Sequence, residues 1–398
     1  MLVSNVGTWM QRVAQDWLVL VTLGGGPAAL GITTGLQFLP FLLIAPFGGA
    51  LADRLPKRRL LMCTNGFMGL IAVVLGVLAV TGAAQVWHVY VLAFLLGVGA
   101  ALDNPARTTF VAELVEPVDV PNAVGLNGAS FHTARLIGPA AAGLLIAALG
   151  TGPVFLFNAL TFVVPIALLL MIGRDVADPA AGNVAARRLG DGLRYVLRRP
   201  DLVLVLSIMF FVGTFGMNFQ MTMALMATGA FGQGPREFGL LGSILAIGSL
   251  IGSLLAARRR TPRRRLIVTA AVVFGLLEML AALSPAYWVF AVSLFPLGVT
   301  ALTVITTANA YVQTSVDAEM RGRVTALYLM VFLGGTPAGA PVIGWLAEVL
   351  GPRWSLLGGG LLTAAGALVV AALFARRHDI AVWPRLRARP RWTLASMS

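Results

Sequence analysis

Arg12 and Asp16 stand four residues apart in the first apolar stretch of the chain, and Arg135 lies about thirteen residues into another, 122–149. Residues four apart share one face of a helix. A charged side chain at the centre of a bilayer costs about 3 kcal/mol or more, so it faces a partner or a watery cavity. An acid near bases has two uses in such a place. Desolvation favours the neutral carboxyl and a neighbouring base favours the ionised one, and where the two effects balance near neutrality the acid can take up and release a proton. The alternative is a static charge cluster that fixes two helices together.

These residues sit in about twelve apolar stretches, near 1–23, 29–52, 60–81, 87–107, 122–149, 152–173, 201–228, 237–257, 266–284, 287–312, 322–350 and 353–375. Each has roughly the 20 residues needed to cross a bilayer as a helix. Backbone amides in hydrocarbon must be satisfied within the segment, so long apolar runs mean helices. The ten-residue alternating segments of a membrane barrel do not appear. Hydrophobic content of 58% with 11% charge excludes an ordinary soluble domain.

The net charge of +13 raises nucleic-acid binding, but its placement argues against it. Of 29 basic residues, 28 are Arg, and 25 fall in the even-numbered connections and the tail. Four lie at 54–59, one is Arg107, six lie between Arg174 and Arg199, six between Arg258 and Arg265, two are Arg321 and Arg323, and six lie from Arg376 onward. The odd-numbered connections hold only Arg236 and Arg353. Basic loops stay on the cytoplasmic side, which predicts cytoplasmic termini and charge facing anionic headgroups rather than nucleic acid. The bacterial cytoplasmic membrane is the expected location. Cys63 has no partner for an internal disulfide, and His88, His132 and His378 are too scattered for a metal site. No cofactor is expected, and no phosphate loop or nucleophile elbow points to an enzyme. No signal peptide is expected at the N-terminus. A first span that begins at residue 1 is short, which predicts a natural start about 10–20 residues upstream.

The longest polar connection, 174–200, divides the chain into six-helix units at 1–173 and 201–376, followed by a basic tail at 377–398. The units repeat weakly but in order. Val6-Gly7-Thr8 recurs as Val212-Gly213-Thr214, and Pro27 and Gly31 recur as Pro235 and Gly239. The run Gly48 to Arg54 recurs as Gly252 to Arg258, and Gly143 and Leu149-Gly150 recur as Gly344 and Leu350-Gly351. Two parallel six-helix repeats around an axis along the membrane normal are a transporter architecture with a central, alternately exposed site. The fold class expected is an all-α membrane protein of twelve helices in two pseudo-symmetric bundles. The tail alternates Arg with Trp383, Pro384, Pro390 and Trp392, and reads as a disordered segment at the headgroups.

After the second span the chain reads Gly49-Ala50-Leu51-Ala52-Asp53-Arg54-Leu55-Pro56-Lys57-Arg58-Arg59. This resembles the signature of the major facilitator superfamily, departing at Pro56, where a glycine is usual. The second copy has Ala257 at the acid position. Asp103-Asn104-Pro105-Ala106-Arg107, the run Ser4 to Gln11, Asn122, Asn127 and Arg321-Gly322-Arg323 resemble the branch that holds the enterobactin exporter and the transmembrane secretion effectors. Gly138-Pro139 with Gly143 resembles the fifth-helix motif of superfamily antiporters, although Ala142 stands where one glycine is expected. Ordinary small-residue packing would also explain these residues.

The resemblance implies that helices 1 and 5 are neighbours and that helices 1, 4, 7 and 10 line a cavity. Asp16 then becomes the first candidate for proton coupling, with Arg12 and Arg135 tuning or replacing its proton; the static cluster stays open. Gly49, Asp53, Arg54, Lys57 and Arg58 form the gate after helix 2. Asp53 is expected near Arg321 and Arg323 when the cavity faces outward, because an acid suits a helix N-terminus. Gly138, Pro139, Asp103 and Arg107 join the gating set, the last two with a plain interfacial cap as the alternative. The expected cavity wall holds Asn5, Trp9, Gln11, Gln15, Phe215, Asn218, Phe219, Gln220, Asn309 and Gln313, with Met217 and Met221 interleaved. Glu278 falls on a peripheral helix, so it faces inward or is protonated. Adaptable Met and aromatic walls suit bulky amphipathic molecules. The function implied is secondary export of a hydrophobic or amphipathic small molecule, drug or siderophore-like, by proton antiport and alternating access. A lysophospholipid or other lipid transporter on the same fold, or a non-transporting membrane partner protein, are the alternatives. The partners expected are the substrate, protons and membrane lipids, with the chain as a monomer.

Overall fold

In a computed structural model the described residues are 2–54, 56–116, 118–171, 189–258 and 262–378, with side chains described except at 45–54, 112, 121, 124, 189, 257, 377 and 378. Twelve long helical segments fill them. They are α1 (Leu2–Trp17, continued by a π-helical turn Leu18–Thr22), α2 (Gly26–Arg54), α3 (Lys57–Val80), α4 (Val86–Glu113), α5 (Val120–Leu149) and α6 (Thr151–Met171). After a linker helix, Leu189–Leu197, come α7 (Pro200–Ala230), α8 (Pro235–Ala257), α9 (Arg264–Ala282), α10 (Tyr287–Ser315), α11 (Ala318–Leu350) and α12 (Arg353–His378). The basic tail expected beyond 378 and most of the linker lie outside the described residues.

Eleven of these segments are long and apolar enough to cross a membrane among the described residues. The remaining one is α1, whose Gln11, Arg12, Gln15 and Asp16 lower its apolarity. It tolerates them because it is sheltered by α5, α6 and part of α7. Gln11, Gln15 and Asp16 are buried there.

Within the first half α3 packs on α6, α2 on α4, and α1 on α5 and α6. Within the second, α8 packs on α10 and α9 on α12. The halves meet along two seams, α2 with α11 and α5 with α8. The repeated glycines make those seams. A Cβ at Gly31 would lie 2.6 Å from the Ala340 carbonyl oxygen and 3.1 Å from the Gly344 Cα. Its repeat mate Gly239 faces Gly143 and the Pro139 carbonyl in the same way. Small residues let helix backbones approach this closely. These close approaches lie in the half of the molecule opposite the basic loops, an end we call the far end.

Among the described residues α1, α7 and α11 depart from regular α-helix, and α4 departs from its expected bounds. The sequence places the end of helix 4 at 107, but α4 runs through Pro105 to Glu113. Asp103 and Arg107 therefore lie inside the helix rather than at its end. In α7, π-helical turns at Val212–Gly216 and Met226–Ala230 bracket an irregular Met217 and Asn218. In α11, the helix is interrupted at Gly335. Gly335 and Gly339 receive Thr214 of the first π turn, where a Cβ on either would collide. Single π turns inside α-helices frequently mark functional sites.

Candidate functional site

A cavity of about 160 Å³ lies where α1, α2, α5, α7, α8 and α11 converge. Its wall includes Trp9, Arg12 and Asp16 of α1, Arg135 and Pro139 of α5, and Met217 to Met221 of the irregular segment of α7. The Arg12 guanidinium lies 4.9 Å from the Trp9 ring centre and 5.6 Å from that of Phe38. The Arg135 guanidinium lies 5.5 Å from the same Trp9 ring. Such placement attracts a cation to the negative ring face.

Asp16 is not clamped. The expected contact with Arg12 or Arg135 is not formed as an ion pair within 4 Å in this conformation. Both arginines turn to Trp9 instead. Among the described residues, Asp16 Oδ2 and Gln220 Nε2, both of the cavity wall, are buried without hydrogen-bond partners. This arrangement places the acid at the cavity wall.

The remaining cavity expectations divide. Trp9, Asn218, Phe219 and Gln220 reach the wall. Gln11 instead accepts a hydrogen bond from Asn158 of α6. Gln15 donates to Gln37 of α2 at 3.4 Å. The Phe215 ring lies beside that of Phe211, and its backbone carbonyl faces Gly359 of α12. Asn309 and Gln313 are exposed on α10, off the wall. Asn5 belongs to a polar cluster described below. Thr34, Gln37 and Phe38 of α2 and Phe332, Leu333 and Thr336 of α11 complete the wall and were not singled out in the sequence. A polar pair such as Thr34 and Gln37 on an apolar helix was the available signal.

The gating candidates lie in three places. Asp103 is buried and pairs with Arg107 at 2.6 Å, while Thr64 and Asn65 of α3 each donate to its other oxygen at 2.9 Å. Arg107 also donates to Asn5 at 3.0 Å. The cluster ties α1, α3 and α4 together within the first half. Lys57 pairs with Glu113, and Arg58 donates to the Leu169 and Leu170 carbonyls at the end of α6. Gly49, Asp53 and Arg54 lie outside the described side chains. Arg321 is exposed, and Arg323 lies beside the linker helix at Gly192. Gly138 receives Trp9 of α1, and Pro139 packs against Gly242 of α8, so this pair shapes both the cavity and the far-end seam.

In the second half Arg199 forks onto Asp201 with two bonds of 2.9 Å, and Tyr311 donates to the same carboxylate at 2.9 Å. That bonding pushes the Arg199 guanidinium above its ordinary range. Glu278 faces inward, buried against Gly360 of α12.

The sequence matches the model of the transmembrane secretion effector family over residues 1–392. It is 23% identical to a staphyloferrin A transporter of Staphylococcus aureus, with 87% of each chain covered. It is 28% identical to a multidrug efflux pump Tap of Mycolicibacterium fortuitum, covering 92% of this chain and 88% of that one. Among solved structures it resembles a bacterial homolog of the human lysosomal transporter Spinster, with a TM-score of 0.69, 15% identity and 94% and 96% of the two chains covered. It also resembles the xylose transporter XylE from E. coli, with a TM-score of 0.68, 13% identity and 93% and 94% covered. The chain is a multi-pass membrane transporter that belongs to the transmembrane secretion effector family of the major facilitator superfamily.

Proposed function

We propose that this transporter exports a hydrophobic or amphipathic small molecule in exchange for protons, by alternating access to the central cavity. The observation that carries the reading is Asp16, buried in the cavity wall between the halves without an ion-pair partner among the described residues. A carboxyl in that position can exchange a proton with whichever face the cavity opens to. The two relatives, a staphyloferrin A transporter and a multidrug efflux pump, support export of a small molecule. The aromatic and methionine wall supports an adaptable, amphipathic specificity. On this reading the basic loops lie in the cytoplasm of a bacterium, the chain works as a monomer, and Asp53 latches α2 to the start of α11 when the cavity faces outward.

Transport by purified protein in liposomes with an imposed pH gradient tests the reading. The panel contains drugs, siderophore-like compounds and lysophospholipids. Gradient-driven movement of a drug or siderophore-like compound is expected. Movement of lysophospholipid alone would favour a lipid transporter, and equal fluxes with and without the gradient would contradict antiport.

A further inference from the structure

At the far end, Glu348 near the close of α11 accepts a hydrogen bond from the Ala28 backbone N–H of α2 at 2.9 Å. Ala28 is the third residue of α2, so its N–H has no partner within the helix. The carboxylate thus faces the positive start of a helix that belongs to the other half. Gly26 is built for this approach. Its φ of +77° favours glycine, and a Cβ there would lie 3.0 Å from a Glu348 oxygen. A second polar contact crosses the other seam, where Ser243 of α8 donates to the Leu136 carbonyl of α5 at 2.6 Å.

Helices α2 and α11 are antiparallel, so each presents its start beside the other's close. We infer that Glu348 is a far-end latch that holds the two halves together there and favours the conformation closed to the far side. It is the counterpart, by geometry, of the acid expected at the basic end of α2. The inference rests on alternating access as proposed above. Opening the far end pulls the close of α11 from the start of α2, so the bond must break in each cycle. Removing it favours the state open to the far side.

The test uses full-length protein with Cys63→Ser and a reporter Met217→Cys in the cavity wall. A membrane-impermeant maleimide is applied to each face in turn, in intact cells and in inverted vesicles. Glu348→Gln keeps a neutral acceptor, whereas Glu348→Lys sets a cation against the helix start. Labelling from the far face should rise about two- to fivefold in Glu348→Gln, and further in Glu348→Lys. Unchanged far-face labelling in both variants, in a parent that labels from either face, would overturn the latch and leave alternating access standing. A parent that never labels from the far face would defeat alternating access and the latch with it. Should Glu348→Lys fail to fold, Glu348→Gln and Glu348→Ala form the series, and equal labelling of the two and the parent overturns the latch.

Discussion

Trp9 shows how a half-buried arginine is kept in this protein. Two guanidinium groups lie near its ring, and Asp16 is left unclamped at the cavity wall. Asp103 is treated in the opposite way, with Thr64, Asn65 and Arg107 all bonded to it. On the proposed reading, that difference separates an acid fit for proton exchange from one that holds helices together. Breaking a buried pair leaves an uncompensated charge and costs about 3 kcal/mol or more. Arg107→Ala should therefore lower the thermal midpoint of the solubilised protein clearly. Replacing both members by neutral side chains that can still hydrogen-bond removes that penalty. Asp103→Asn with Arg107→Gln should accordingly regain most of the lost stability; a melt for Arg107→Ala equal to that of the parent would refute the assignment. The charged residues were legible in the sequence because charge is rare in apolar spans. Their partners were not. Gln11 and Gln15 look the same in a sequence whether they face a cavity or a neighbouring helix, and only packing sends them to Asn158 and Gln37.

At the scale of elements, hydrophobic length located the helices, and the weak repeat located their contacts. Gly31, Gly143, Gly239 and Gly344 were visible as matched positions, and they turn out to be among the points where the halves touch. The π turns of α7 and the break of α11 at Gly335 were hidden, because each is shaped by the other through Thr214. Overpacking a close contact costs about 1–3 kcal/mol. Gly31→Val should therefore favour the conformation open at the far end, raise far-face labelling of the Met217→Cys reporter, and slow transport. Labelling and transport equal to the parent would show that the seam opens elsewhere. Asp53→Asn should act in the reverse sense, weakening closure at the basic end and lowering transport while expression stays near normal. Parental turnover in Asp53→Asn would refute the basic-end latch.

For the whole molecule, the proposed alternating access makes the two seams one rocking system around the cavity. The fold and transport class were readable from span number, loop charge and the Gly49 to Arg59 signature. The substrate was not, because adaptable apolar walls leave little trace of their ligand. The most direct test of the account compares the parent with Asp16→Asn in liposomes, using one transported compound. With an imposed pH gradient the parent should move the compound uphill. Asp16→Asn should still bind it and allow downhill exchange, but lose uphill movement. Normal uphill pumping by Asp16→Asn would contradict the proton-coupling role of Asp16.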